Sequence, residues 1–489
     1  MHAFINAAAP WLNEHLKRFI REHVPEAVFV DDFSDFPTDA KTVFQYCDGW
    51  ALNQNFGVLN TAEKGLINAY PNSDALARKD YLAAVVEYWT TKRPESILRK
   101  HVPLTVRLTL DYAEYVDDAL MAADDLSLLY SLEQNAQIDP AEREWWILKP
   151  ALVDCGAGIR LFSTTEELAS HLELAENETD DDEEEEEEEI ETEGAETEVE
   201  TPCSSDKGVG SFSPTLSHPG LDSLDGLVTA TGSLTLKTNK PQPNLRAKKP
   251  QYVFKAGGRI PSAQMRAFVA QRYIVAIPPL EGRKWHVRAY VLAIGRLKVH
   301  VFRDMLALLA VEDYQPPWEN PSLKSSLTNT ALQEEEEVVS KESMRDFWAI
   351  DDGLLGGEGK WGPDWKRHVF YQICGVAAEL FKAAAHTMAD KFTTLDKCFE
   401  LFALDFLVDA SGNAWLLEVN ETPAFYQQGV AGPLALRLME SVVCVTMEHM
   451  GMAREDVEAR NAVVRNRLVE VLDETAKLGK SNITEIMPE

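Results

Sequence analysis

One stretch, Glu400 to Pro423 (ELFALDFLVDASGNAWLLEVNETP), constrains this chain more than any other. Two short apolar runs, Leu401 to Val408 and Ala414 to Val419, are rich in aromatic and branched residues and flank the turn-forming Asp409 to Asn413. The pattern predicts a buried β-hairpin. Carboxylates inside such a hairpin are costly to bury unless a cation or hydrogen bonds compensate them. Yet Asp405 sits mid-strand in one run, and Glu418 and Asn420 close the other. Side chains alternate faces along a strand, so Glu418 and Asn420 share a face and Asp405 can meet them across the ladder. Three hard oxygen ligands on one face suit Mg²⁺, which takes one or two carboxylates and leaves its other positions to water and phosphate. The alternative is a hairpin whose acids simply reach solvent at the strand ends.

At 489 residues the chain has room for two or three domains, and its 45% hydrophobic content is that of a soluble globular protein. No run approaches the roughly 18 uninterrupted apolar residues of a membrane span. Polar residues also interrupt the N-terminal apolar stretch too early for a secretory signal. Six scattered cysteines (Cys47, Cys155, Cys203, Cys374, Cys398 and Cys444) show no CxxC spacing. They predict a reducing compartment, the cytoplasm or nucleus, without structural zinc; the cytoplasm is the location expected.

The net charge of -33 is unevenly placed, because residues 173–200 hold 18 acids and no Lys or Arg. Most of the acidity therefore belongs to one insert and not to the surface of the fold. Residues 237–303, by contrast, hold 15 Lys or Arg against the single acid Glu281, a surplus of +14. Such a surplus implies an anionic ligand, with nucleic acid or a merely solvated basic face as alternatives.

Residues 1 to about 100 read as a small mixed domain. Leu12, Leu16, Phe19 and Ile20 have helical spacing, Ala27 to Val30 reads as a strand, and Asp31 to Pro37 breaks the pattern. Arg78 and Lys79 read as a helix-start charge pair, with reach to a substrate as the alternative. A helix is expected from Tyr112 to Leu129. Trp145 to Pro150 reads as a strand ending in Lys149, and the following loop carries Gly156 and Gly158 before a second strand and a helix starting near Thr164. Glycines at such a hairpin tip let backbone N–H groups approach phosphate oxygens closely.

From about residue 174 to 250 the periodicity collapses into ten consecutive acids, Asp180 to Glu189, followed by Ser, Pro, Gly and Thr. Such a composition buries too little apolar surface to offset chain entropy, and it predicts a disordered insert that interrupts a domain. Order is expected to resume at Tyr252 to Ala256, with a helix from Ser262 to Phe268 and a strand starting at Gln271. Lys284, His286 and Arg288 alternate along the next strand, so they share a face. Three basic side chains on one face call for an anion, although His286 also reads as a packed core histidine. Val299 to Ala310 continues the sheet and carries Arg303, whose other reading is an ion pair with Asp304 or Glu281. Thr328 and Asn329 by themselves read as a polar loop tip. A flexible loop is expected over 334–365, a helix from Val369 to His386, C-terminal helices over 433–475, and a frayed tail from 476 to 489.

Several of these segments, in this order, resemble the tubulin-tyrosine ligase family of the ATP-grasp superfamily. ALDFLVD and WLLEVNETP look like the metal-binding core of that fold, and Leu66 to Asp80 resembles the lead into its central domain. Trp145 to Pro150 with its glycines looks like the ATP-grasp glycine loop. Gln271 to Ile274 resembles the adenine-contacting strand, and Ser325 to Gln333 resembles the family's His-Leu-Thr-Asn signature with Ser326 in place of His. The sequence also departs from the family at Cys155 and His286, where Arg and Asp are usual.

The resemblance covers roughly residues 40–170 and 250–450. It implies an α/β (α+β) ATP-grasp fold, divided into an N-terminal mixed domain (1–100), a central subdomain with the glycine loop (101–174), the disordered acidic insert (175–249), a C-terminal subdomain (250–475) and a tail (476–489). It implies ATP held by Lys149, Gly156, Gly158, Gln271, Arg272, Tyr273, Ile274, Lys284 and His286. Mg²⁺ would sit on Asp405, Glu418 and Asn420, with Arg288, Arg303 and Asn329 as catalytic residues. The implied reaction adds an amino acid, tyrosine by family default, to a protein carboxylate such as the C-terminal glutamate of tubulin, through an acyl phosphate. The implied partners are an acidic protein tail and a free amino acid, with neither a membrane nor nucleic acid expected. The alternative is a catalytically weak ligase-like scaffold that recruits partners through its acidic insert.

Overall fold

A computed structural model describes residues 1–47, 55–57, 59–153, 156–176, 258–261, 265–320, 322–328, 343–355, 362–453 and 458–475. All but the first two residues of the insert expected at 175–249, part of the loop expected over 334–365, the order expected at Tyr252 to Ala256 and the tail from 476 lie outside the described residues, as do Cys155 and Asn329, while the described part of that loop holds a strand at Met344–Asp346. Among the described residues no helix is long and apolar enough to cross a membrane.

The chain opens with a parallel sheet of order β2-β1-β3-β4, built from β1 (His2–Asn6), β2 (Val28–Val30), β3 (Thr42–Cys47) and β4 (Lys64–Ile67). Its central strands are apolar on both faces, as parallel strands covered on both sides must be. Helix α1 (Asn13–His23) crosses between β1 and β2 and buries Leu16, Phe19 and Ile20, the stripe its spacing predicts. After β4 the chain enters the short helix α2 (Asp74–Ala77) and then α3 (Lys79–Thr91).

A second sheet is antiparallel, with order β5-β8-β6-β7, from β5 (Thr105–Thr109), β6 (Trp146–Pro150), β7 (Arg160–Phe162) and β8 (Ala267–Arg272). Strand β8, which follows the insert in sequence, lies between two strands that precede it. Of the helix expected from Ser262 to Phe268, residues 262–264 lie outside the described residues and Ala267 and Phe268 belong to this strand. Here the period of two wins, because Phe268 and Ala270 enter the same core as Trp146 and Leu148. The single helix expected from Tyr112 to Leu129 is two, Val116–Met121 and Ser127–Asn135. Asp125 accepts a hydrogen bond from the Ser127 amide at 2.8 Å, a local side-chain bond that competes with helix continuation at that point.

The third sheet is antiparallel and carries the hairpin. It runs β12 (Met344–Asp346), β11 (Leu306–Asp313), β9 (Arg283–Ile294), β10 (Lys298–Phe302) and β15 (Leu468–Asp473), and β13 (Phe399–Val408) pairs with both β9 and β14 (Ala414–Asn420). Strand β15 falls where C-terminal helices were expected; its Val469 to Leu472 run pairs along the edge of β10. The 12-residue β9 is the spine of the sheet. Trp285, Val287, Ala289 and Val291 face one core together with Phe402, Leu404 and Phe406 of β13 and the helix Trp365–Thr387. Tyr290, Leu292 and Ile294 face the other, against α1 and the helix Ala431–His449. Lys284, His286 and Arg288 continue this second face beyond the reach of that apolar core, so the strand's own alternation delivers three basic side chains to one place.

Candidate active site

A cavity of about 390 Å³ opens between the second and third sheets. On its hairpin side Asp405 of β13 lies directly opposite Glu418 of β14, and Ala403 lies opposite Asn420. The register slips just beyond, between Asp405 and Phe406, leaving Leu417 as an extra residue on β14. The Leu417 carbonyl lies 3.5 Å from Lys149 Nζ, and Leu417 and Glu418 both line the cavity.

Asp405 is only 3% exposed. Arg288 grips it as a two-pronged fork, Nε to Oδ1 at 2.9 Å and an Nη to Oδ2 at 2.8 Å, and Asn420 Nδ2 donates to Oδ2 at 3.2 Å. His286 Nε2 stands 3.4 Å from Asp405 Oδ1, while its Nδ1 pairs with the Thr328 hydroxyl. Burial pushes the Asp405 carboxyl up, but Arg288 and His286 outweigh it and hold the group ionised well below the usual carboxylate range. Burial likewise opposes the Arg288 charge, and the adjacent Asp405 more than restores it.

Across the cavity stand two lysines that lack a comparable partner. Lys149 is 6% exposed, donates to Gln271 Oε1 at 2.8 Å, and is pushed down to about 8 by burial against the pull of Glu418. Lys284 is equally buried, lies 3.7 Å over the Tyr273 ring, and is held well below the ordinary lysine range by burial and then by the like charge of Lys149. An anion placed between these ammonium groups would replace the solvation that burial removed.

Of the residues named from the sequence, Lys149, Gly156, Gln271, Arg272, Tyr273, Ile274, Lys284, His286, Arg288, Asp405, Glu418 and Asn420 all line this cavity. Gln271 acts through Lys149, whose Nζ it holds while donating to Thr105 Oγ1 at 3.2 Å. Two others are not brought here. Gly158 gives its N–H to the Gly258 carbonyl at 2.8 Å, and a Cβ there would come within 2.5 Å of Pro150, so its left-handed backbone serves packing and not phosphate. Arg303 lies just past the end of β10, exposed, with Nε donating to the Asn466 carbonyl at 2.9 Å.

Among the described residues of the basic stretch, most of the positive charge is paired in space. Arg266, Arg272, Arg283, Arg288, Arg296 and Lys298 pair with Asp111, Glu144, Glu281, Asp405, Asp396 and Asp473 respectively. Most of these acids lie far along the chain, where a local count cannot see them.

Lys79 is a member of the site that the charge-pair reading passed over. Its neighbour Arg78 makes the helix-start pair, 2.7 Å from Asp80, while Lys79 donates to the Val153 carbonyl at 3.0 Å and lines the cavity. Ile147, Ile159, Leu407 and Leu417 supply apolar wall. Two of these were readable by alternation, since Ile147 shares a face with Lys149 and Leu407 with Asp405.

The donor set fits a hard divalent cation. Glu418 is half-buried, and its carboxylate takes no hydrogen bond among the described residues. Asp405 keeps acceptor capacity beyond its Arg288 fork, and Asn420 adds an amide oxygen.

The family model of the tubulin-tyrosine ligases matches residues 59–452. The chain is 36% identical over 364 residues to a probable tubulin–tyrosine ligase of Schizosaccharomyces pombe, spanning 74% of this chain and 72% of that protein. It is 27% identical over 433 residues to a probable tubulin–tyrosine ligase of Saccharomyces cerevisiae, spanning 86% of this chain but 48% of the relative's length. Among solved structures it is similar to the C-terminal domain of K. lactis Pby1, an ATP-grasp enzyme interacting with the mRNA decapping enzyme Dcp2. The TM-score is 0.59 at 23% identity, over 98% of this chain and 99% of that one. The fold is ATP-grasp, and the chain belongs to the tubulin-tyrosine ligase family of ATP-dependent ligases.

Proposed function

We propose that the protein joins an amine to a protein carboxylate through an acyl phosphate, with ATP as the phosphoryl donor in the 390 Å³ cavity. The observation that carries this reading is the pairing of two buried lysines, Lys149 and Lys284, with the carboxylates of Asp405 and Glu418 across one cavity. The lysines suit phosphate oxygens, and the walls from Ile147, Ile159, Leu407 and Leu417 suit the flat face of a base. Asp405, Glu418 and Asn420 would hold Mg²⁺, which when bound neutralises phosphate charge.

The remaining work falls to this chain's own side chains. Lys149, kept in line by Gln271, and Lys284, braced on Tyr273, fix the phosphate chain by charge. The Arg288 fork stays rigid on Asp405, so the outer edge of its guanidinium meets charge developing on the transferred group without reorganising. A substrate carboxylate oxygen attacks the γ-phosphorus and ADP leaves with the bridging oxygen. The neutral amine then attacks the acyl carbon, phosphate leaves with the electron pair of the C–O bond, and the nitrogen's surplus proton passes to the departing phosphate.

For the acceptor we propose an acidic protein tail, tubulin being the one named by the family, and for the amine a free amino acid, tyrosine by default. The Pby1 neighbour, named for its interaction with a decapping enzyme, supports assaying protein acceptors beyond tubulin. Four buried cysteines, Cys47, Cys374, Cys398 and Cys444, are in no disulfide, which supports a reducing, cytoplasmic setting. The test supplies ATP and Mg²⁺ with tubulin or a cytoplasmic extract and labelled tyrosine, glutamate or glycine. The expected result is protein-bound label that requires ATP, with ADP formed alongside; no ADP above background in any mixture would overturn the reading.

A further inference from the structure

A second cavity, about 920 Å³, lies at the carboxyl ends of β1, β3 and β4. From β1 the chain steps to β2 on one side and then returns past β1 to β3 on the other, so the cavity sits where the winding of the sheet reverses. Crevices outside the carboxyl ends of parallel strands at such a reversal are where open α/β sheets take ligands. The far wall comes from the start of β13 and from the segment after β14. Thr422, Pro423 and Ala424 of that segment line both cavities, so the two share a wall.

Its lining is opposite in charge to the first. Asp74, Glu400 and Glu421 face it, and among the described residues no Lys, Arg or His does. Glu400 is 5% exposed and accepts from the Tyr70 amide at 3.0 Å and the Ser73 hydroxyl at 3.1 Å. That same hydroxyl stands 3.0 Å from Glu421 Oε2, so one hydroxyl proton is shared between two carboxyl groups. Tyr46 is a separate observation. Its residue is only 9% exposed and lines the cavity, and its hydroxyl makes no hydrogen bond among the described residues. The ring is buried while the hydroxyl keeps accessible surface at the cavity wall, where a donor of a ligand can reach it.

We infer that this cavity binds the ammonium group of the amine substrate, with the Tyr46 hydroxyl, Glu400 and Glu421 as its polar partners; the inference rests on the ligase reading of the neighbouring cavity. An ammonium group carries three donors and no acceptor, which matches two carboxyl groups and a phenolic oxygen. Burial pushes the Glu400 carboxyl up to about 8, so near neutral pH it holds a proton where an arriving cation would supply the compensating charge. An acidic tail does not suit this cavity, since Asp74 and Glu421 would repel it. The shared wall brings an amine held here next to the place where an acyl phosphate would form.

The test titrates the full-length protein, with Mg²⁺ and a non-hydrolysable ATP analogue present, against free glycine, tyrosine and lysine, their N-acetyl derivatives, heptalysine and heptaglutamate. Ammonium-bearing probes are expected to bind, and N-acetylation of the amino acids to weaken binding by about tenfold or more, the usual scale for losing one charge-assisted hydrogen bond. Tyr46→Phe, which removes a single oxygen and keeps the ring, is expected to weaken the amine by about threefold to tenfold and to leave the ATP analogue's affinity unchanged. Tighter binding of free amino acids assigns a small-molecule amine; tighter binding of heptalysine assigns a protein amine; both support the inference. It is overturned if no ammonium-bearing probe binds, if the N-acetyl forms bind as well as the free ones, if heptaglutamate displaces the amine, or if Tyr46→Phe changes nothing. Absence of ATP-analogue binding would instead remove the ligase reading, and the two failures are read in separate titrations.

Discussion

The two cavities that meet at Thr422 to Ala424 differ in charge and in construction. The first is walled largely by strands, and its Lys284, His286 and Arg288 come from one strand face while Asp405 and Glu418 stand opposite each other in a ladder. The second is walled mainly by the loops after β1, β4 and β14, with the end of β3 and the start of β13, and these residues meet only through the fold. Strand alternation fixes side-chain direction in advance, so the first places charges with precision and can position a reacting phosphate. Loop walls favour recognition of a ligand that the first site then uses.

The sharpest way to break this contrast is at the metal-facing carboxylate. Glu418→Gln is expected to fold normally, because the carboxylate is half-buried and takes no hydrogen bond among the described residues. It should nonetheless lower ATP turnover by about two orders of magnitude or more, since metal neutralisation of phosphate charge is a main catalytic effect. Turnover within a few fold of wild type would remove the metal from the hairpin.

A somewhat smaller effect is expected at Lys149→Met. Removing a lysine that burial already disfavours should leave folding stability within about 1 kcal/mol. Nucleotide affinity should fall by about tenfold or more, the scale of a charge-assisted phosphate contact. Isothermal titration with ADP and an ATP analogue measures the second, and urea unfolding the first. A variant that binds nucleotide like wild type would show that the buried lysines serve packing alone.

The acidic cavity has a signature in stability. Glu400 is raised from 4.5 to about 8, chiefly by burial, with Tyr70 and Ser73 donating to it and Glu421 and Cys398 nearby. Between those two values the folded chain keeps a proton that the unfolded chain has released. Folding therefore binds more protons, and stability falls as pH rises through the window, by up to about 1.4 kcal/mol per pH unit from this group. Glu400→Gln, which cannot ionise, should flatten that fall in urea midpoints taken from pH 5 to 8. An unchanged slope would mean that Glu400 ionises normally in the folded protein.

What the sequence revealed follows the same division. The hairpin, the shared face of Lys284, His286 and Arg288, and the helix Trp365–Thr387 were legible because each is a local period written in consecutive residues. The strand β8 was misread because the window Ser262 to Phe268 contains good helix formers, and only the partners β5 and β6, more than a hundred residues earlier, make it a strand. Lys79 was hidden for a related reason, since its role depends on the Val153 carbonyl. The second cavity had no local signal at all. The hydrogen bond from Tyr70 to Glu400 spans 330 positions, and Ser73, Asp74 and Glu421 form no local period with one another.

The smallest expected effect lies outside both cavities, and it tests whether resemblance or geometry should govern a residue's assignment. Family likeness implies that Arg303 contacts phosphate and acyl substrate, and on that basis Arg303→Lys would cost far more than its retained charge suggests, because an ammonium cannot copy a planar fork. In the structure Arg303 is exposed, lines neither cavity, and spends its Nε on the Asn466 carbonyl, with its guanidinium 5.9 Å from the centre of the Phe370 ring. A lysine reaches the same carbonyl with one donor and keeps the contact with the ring. Arg303→Lys is therefore expected to change stability by less than about 0.5 kcal/mol, as exposed substitutions away from special features usually do, and kcat/KM by less than about twofold. Steady-state kinetics alongside urea unfolding separate the cases. A large loss of kcat with unchanged stability would mean that the C-terminal segment around Asn466 rearranges with substrate bound and delivers Arg303 to the phosphate. A loss of both together would make the Asn466 contact a structural tie between β10 and β15.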